Sequence, residues 1–167
     1  FGVSNMNAAQ IRLLQSSCSE PLIINQLEMN LLKTDWVDQG VSVNQSESAN
    51  IGFADGLTEF CMLENIQLQA WSSLARGVLT GAPVHEASDT VIQTKRLVQK
   101  LATEKETSGE AIVLGWLMKH PAFIQPLIGS TDPERIRRCG DALKQAKSMS
   151  REEWYSLYTS ARGRAVT

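Results

Sequence analysis

At 167 residues, with 43% hydrophobic and 20% charged side chains, the chain carries enough apolar material for one ordinary domain with a real core. Its formal net charge of −2 offers no broad electrostatic footprint for nucleic acid. No run approaches the roughly 20 apolar residues of a membrane span, so disordered and membrane-spanning classes are set aside as well.

Phe1 to Ser4 reads as a short buried strand entered partway, with no charged and apolar leader before it, which suggests a missing upstream segment. Asn7-Ala8-Ala9-Gln10 has the spacing of a capping box. Ile11, Leu14 and Cys18 continue an apolar stripe of helical period. Pro21 to Glu28 is a second strand, rich in branched residues and bounded by proline.

Residues 29 to 53 show no clean period and read as a long loop with one short turn, of a length usually functional or mobile. Asp55 to Glu64 predicts a helix and Ile66 to Trp71 a third strand. Ser72 to Asp89 reads as a second long loop. Thr90 to Lys105 is an amphipathic helix, and Thr107 to Lys119 a helix opened by a Thr107-x-x-Glu110 box and apolar nearly all round, hence buried.

Phe123 to Ile128 forms the fourth strand, and Asp132-Pro133-Glu134 starts the next helix with a cap residue and a first-turn proline. Ile136, Cys139 and Leu143 mark its expected inner face. Ser150-x-x-Glu153 caps a last helix whose inner face is Trp154, Leu157, Tyr158 and Ala161, and the tail from Arg162 is expected to fray. The order is β-α four times, with an extra helix before strand four and another at the end. That order argues for an α/β fold on a parallel sheet, either a small open sheet or half of an eight-stranded barrel.

Cys18, Cys61 and Cys139 are odd in number, far apart and free of CxxC spacing, and only His85 and His120 could join them as soft ligands. Reduced, buried thiols in a cytoplasmic protein are expected, and a zinc site is not.

Parallel α/β architectures gather binding groups at the carboxyl ends of strands, and every predicted strand here ends in polar or aromatic residues. Ser4-Asn5 can satisfy turn amides or face a ligand. Gln26 interrupts an apolar strand, and a ligand carboxamide would match its paired donor and acceptor. Trp71 is either core or a flat surface for a cofactor ring. The following Ser72-Ser73-Leu74-Ala75-Arg76-Gly77 suits close backbone approach to a diphosphate. Gly129-Ser130-Thr131 leads into a helix with Arg135 on its first turn, a combination that suits phosphate, although a plain capped helix with a solvated arginine would read the same.

Taken together, Phe1-Gly2-Val3-Ser4-Asn5, Asn25-Gln26-Leu27-Glu28, Ala70-Trp71-Ser72-Ser73-Leu74 and Ile128 to Ile136 resemble the last four strand tips of the aldo-keto reductase family, in its bacterial oxidoreductase-like branch. The resemblance implies the C-terminal half of a (β/α)8 barrel, a single partial domain over residues 1–167 that binds NADP(H) for reduction of an aldehyde or ketone. It implies carboxamide contacts for Ser4, Asn5 and Gln26, nicotinamide stacking for Trp71, and diphosphate contacts for Ser72 and Leu74. It implies a 2′-phosphate grip for Ser130, Thr131 and Arg135.

Gly129 stands where the family often has lysine. Arg138 and Cys139 replace its usual acidic and amide residues near the adenine. The family's Asp/Tyr/Lys/His tetrad belongs to the first four strands, so this chain alone is expected to be inactive. It is also expected to pack poorly unless a missing half or a second copy covers it. A nucleotide-sensing subunit without catalysis, or a truncated product without function, are the alternatives, and an intact upstream tetrad would favour the enzyme.

Overall fold

Four strands lie side by side in chain order, all parallel: β1 (Gly2–Ser4), β2 (Ile24–Glu28), β3 (Gln67–Trp71) and β4 (Gln125–Pro126). The computed structural model describes residues 1–83 and 86–166, the side chain of Glu47 excepted. His85, part of the expected loop 72–89 and the last residue of the expected frayed tail fall outside the described residues.

Side chains alternate across a strand. On β2 and β3 one set, Asn25, Leu27, Leu68 and Ala70, is buried. The other set, Ile24, Gln26, Glu28, Gln67, Gln69 and Trp71, keeps some exposure on the opposite face. The register aligns Ser4, Gln26, Gln69 and Gln125 in one row across the sheet.

The helices are α1 (Ala8–Gln15), α2 (Asp35–Val41), α3 (Leu57–Leu63), α4 (Asp89–Glu104), α5 (Gly109–Lys119), α6 (Pro133–Cys139), α7 (Ala142–Ser148) and α8 (Arg151–Arg162). Local chemistry starts three of them as read: both halves of the capping box form at Asn7/Gln10 and at Ser150/Glu153, and Asp132 caps α6 ahead of Pro133. The start of α5 differs by one residue. Ser108 is its cap, while the Thr107 hydroxyl donates to Asp141 Oδ2 at 2.5 Å, so no Thr107-Glu110 box exists.

Other departures have tertiary causes. The 29–53 segment contains α2 and a 3-10 turn (Ser46–Asn50), because Trp36, Val37 and Asp38 find buried partners that no local period announces. The loop after β3 holds another 3-10 turn, Ala75–Gly77. β4 is two residues long, since Pro126 has no N–H to extend a ladder and Phe123 turns out of the strand with φ 49°. β1 is not buried: Gly2 and Ser4 are exposed. Ile136 and Leu143 are 46% and 61% exposed, because separate helices α6 and α7 replace one continuous stripe and only Cys139 turns inward. Cys61 and Cys139 are free buried thiols, but Cys18 is only half-buried.

The core joins the sheet's covered face to the outer helices, and α5, buried from Glu110 to Leu117, is its centre. Trp116 of α5 stacks on Trp154 of α8 at 5.1 Å, and each indole N–H donates to the other residue's carbonyl, at 3.1 and 3.0 Å. Gly115 lets α7 approach: a Cβ there would lie 2.9 Å from Gln145 Cβ and 3.1 Å from the Ala146 nitrogen. Gly115→Ala is therefore expected to destabilise by about 1–3 kcal/mol through overpacking against backbone. A urea midpoint equal to that of the parent would show that α7 yields without cost.

Candidate functional site

The site begins where β1 and β2 end together. The Asn5 amide N–H and the Ser4 hydroxyl both donate to the Gln26 carbonyl at 3.0 Å, and Asn5 Nδ2 donates to Ser4 Oγ at 2.9 Å. Asn5 holds φ 55°, a left-handed conformation that asparagine tolerates better than most residues. Ser4 is thus committed to orienting Asn5, and both residues are exposed.

Gln26 is not the buried amide that its strand suggests. It lies half-buried on the uncovered face, where its Nε2 donates to Gln69 Oε1 at 3.3 Å. Gln69 Nε2 in turn donates to Gln125 Oε1 at 2.9 Å, so a chain of amides crosses three strands. The fully buried amide is its neighbour Asn25, which donates to the Met6 carbonyl at 2.8 Å and pins the turn after β1. Period-2 alternation could have separated the two, had the face opposite the helices been known.

Trp71 ends β3 on the same open face, 36% exposed. With Asn5, Leu27, Glu28, Lys33 and Phe53 it lines a cavity of about 270 Å³. Glu28 and Lys33 form an ion pair at 3.0 Å there, a polar pair that sequence reading passed over. The next residue, Ser72, opens a second cavity of about 350 Å³, lined also by Leu74, Arg76, Gly129, Ser130 and Arg135. Ser73, whose hydroxyl donates to the Leu127 carbonyl at 2.7 Å, ties the β3 tip to the β4 tip.

Backbone strain concentrates here. Of eight described non-glycine residues with positive φ, four are Asn5, Ser72, Ala75 and Arg76, all just beyond strand ends. Such conformations cost on the order of 1–3 kcal/mol each and persist where surrounding structure holds them, often at ligand sites. They turn the 72–77 segment back toward β4, where Gly77, at φ 82°, lies beside Arg135: Nη2 would be in ordinary contact, 3.7 Å, with a Cβ on that glycine.

Three arginines on α6 have different fates. Arg137 pairs with Glu134, and Arg138 lies 3.8 Å from Glu110. Arg135, half-buried, has no carboxylate partner among the described residues, and neither does Arg76. Two cations without counter-ions in one cleft suit an anionic group. The amides at the start of α6 are partly used internally: Asp132 N–H donates to Ser130 Oγ at 3.1 Å and Glu134 N–H to Asp132 Oδ1 at 2.9 Å. Thr131 is exposed and outside the cavity lining, and Cys139 turns inward with its thiol donating to the Arg135 carbonyl.

Neither tyrosine belongs to this cleft. Tyr158 is buried on α8, its hydroxyl donating to Asp38 Oδ1 at 2.5 Å, and burial followed by Asp38 pushes its pKa well above the usual phenol range. Tyr155 lies beside it on the outer helices. Among the described residues no helix is long and apolar enough to cross a membrane.

A sequence profile described as the Aldo/keto reductase family matches residues 1–157. The chain is 33% identical over 165 residues to 6-dehydroglucose reductase of Agrobacterium fabrum, covering 99% of this chain and 47% of that protein. It is 28% identical to the uncharacterized oxidoreductase YcsN of Bacillus subtilis, covering 98% and 47%. Among solved structures it resembles the thermostable aldo-keto reductase Tm1743, with TM-score 0.64 at 24% identity over 95% of this chain and 47% of that one. It also resembles an aldose reductase from Giardia lamblia, with TM-score 0.62 at 16% identity over 99% and 46%. The chain spans about half the length of the curated relatives it matches.

Proposed function

This chain belongs to the aldo/keto reductase family and has a parallel α/β fold, and on that premise we propose that it is the C-terminal half of a (β/α)8 barrel whose four strand tips are one NADP(H) cradle. Residues 1–167 would then form a single partial domain whose work is to bind and orient the cofactor of a carbonyl reductase. The observation that supports this reading is that two cavities at the strand tips are lined by consecutive residues of the chain. One is lined by Asn5 and Trp71, the other by Ser72, Leu74, Arg76, Gly129, Ser130 and Arg135.

The amide end suits a carboxamide, Trp71 offers an exposed indole face to a flat ring, and the cationic end suits phosphates. The nicotinamide, when bound, supplies the hydride that reduces an aldehyde or ketone. Asn5 is held by Ser4 for a carboxamide contact, Gln26 faces the same side, and Arg135 reads the 2′-phosphate. A tyrosine acid would have to come from outside this chain, because both of its own tyrosines sit on the outer helix α8, so the chain alone is inactive in this reading.

Trp71→Ala in the full-length protein tests the nicotinamide end. Cofactor affinity is expected to fall by about 2- to 13-fold, the equivalent of roughly 0.5–1.5 kcal/mol of stacking. The tryptophan quenching on NADPH addition should shrink as well. Unchanged affinity and unchanged quenching would place the ring elsewhere.

A further inference from the structure

Away from the strand tips, the β4 side of the sheet ends in an open groove of about 490 Å³ between the start of β4, the end of α5 and α7. Among the described residues β4 has one strand neighbour, β3, so its other edge is unpaired. Met118, Phe123, Leu143 and Ala146 give the groove an apolar lining, and Phe123 and Leu143 are 81% and 61% exposed. Phe123 is held there by its backbone. Its φ of 49° is rare for a bulky residue, its N–H donates to the His120 carbonyl at 3.0 Å, and its own carbonyl accepts from Gln67 Nε2 at 2.7 Å. Helix α7 buries Ala142 and Gln145 against α5, which leaves Leu143, Ala146 and Lys147 as a second face along the groove. Adjoining exposed apolar groups of this kind mark interaction surfaces.

Charge narrows the partner. Lys119 and Lys147 stand on the groove wall, and among the described residues no carboxylate lines the groove and neither lysine has an ion pair. A second copy would not supply the missing anions, because its open β1 edge would bring α1, which contains Arg12 and no carboxylate. We propose that this groove is the docking seam for an amphipathic helix from the other half of the barrel. That helix sets an apolar stripe on Phe123 and Leu143 and carboxylates opposite Lys119 and Lys147. The seam presupposes the half barrel, and adds to it the residues that close the ring and the chemistry that covers them.

The test is thiol protection in the full-length protein carrying Cys18→Ser, where the remaining Cys61 and Cys139 are buried. Leu143→Cys should react with an aromatic disulfide reagent about 100-fold more slowly than Lys144→Cys, its exposed neighbour on α7, as a site that opens only locally does. Lys119→Glu with Lys147→Glu should lower Tm by several degrees at low salt and by less at high salt, because the helix's carboxylates then face like charge. On a surface with no such partner the same reversal would leave Tm unchanged or raise it, and that result would overturn the proposal. Equal reactivity of the two thiols would overturn it, and so would protection lost on dilution, which would assign the groove to a second copy. Should the thiols react equally while Arg135→Ala still weakens NADPH and spares NADH, the seam alone is wrong. Should both results fail, the half barrel goes with it.

Discussion

Arg135→Ala should weaken NADPH binding by about 10- to 150-fold, equivalent to roughly 1.5–3 kcal/mol for a charge-assisted hydrogen bond, while leaving NADH nearly untouched. The discrimination follows from the different fates of the α6 arginines. Arg137 and Arg138 each have a carboxylate within reach, whereas Arg135 lies against Gly77 in the cleft with none among the described residues. Because caps already use some of the amides at the start of α6, the guanidinium must supply most of the attraction for a 2′-phosphate. Competition binding of NADPH and NADH to parent and variant checks it. Equal loss of both cofactors would assign Arg135 to the shared diphosphate and end the 2′-phosphate reading.

Gly129→Lys gives the converse. A Cβ at this position meets nothing within 4 Å, and its φ lies outside the left-handed region, so a lysine fits without strain. Placed beside Ser130 on the cavity wall, its charge should tighten NADPH by a few-fold and steepen the salt dependence of binding. Unaltered affinity at low salt would mean that the phosphate lies out of reach of this strand tip.

The parts of this molecule legible in the sequence are those fixed by nearest neighbours. The capping boxes at Asn7 and Ser150, the Asp132-Pro133 helix start and the all-round apolar α5 depend on residues within one or two turns, and they appear as read. Helix α2 depends on α8, 120 residues along the chain, through Asp38 and Tyr158, so no window of sequence contains its cause. Leu143 and Ile136 have helical spacing but lose a common face where α6 and α7 separate, and that break shows only in three dimensions.

In the cleft, strand tips could be named because a parallel sheet puts its polar ends on one rim. The Gln26–Gln69–Gln125 chain could not, since it requires the register between strands. Glu28 and Lys33 are neighbours only because the chain reverses at the Asn30–Lys33 bridge, which no periodicity marks.

Asp38→Ala is expected to destabilise the fold by about 3–5 kcal/mol, as removal of one partner from a buried ion pair does, lowering Tm on the order of 10 °C. Asp38 Oδ1 accepts from Tyr158 and lies 2.8 Å from Arg162 Nε, in charge contact though not aligned for a hydrogen bond, while Oδ2 accepts from Thr34 at 2.9 Å. Arg162 also reaches Ser42 at the end of α2. Without the carboxylate, the Arg162 side chain, 6% exposed, keeps a buried charge with no anion beside it among the described residues.

Joining Arg162→Met to Asp38→Ala should therefore recover part of the loss, because a pair removed together leaves no stranded charge. The damage should also reach the proposed cofactor cleft. Asp38 anchors the segment whose two ends supply Lys33 and Phe53 to the Trp71 cavity, so the nicotinamide end should loosen while the Arg135 end holds. In Asp38→Ala, affinity for whole NADPH should fall, while affinity for adenosine 2′,5′-bisphosphate, which lacks the nicotinamide, stays near that of the parent. A variant that unfolds within about 1 kcal/mol of the parent would show that water replaces the carboxylate at no cost, and that α2 is held by its tryptophan contacts instead.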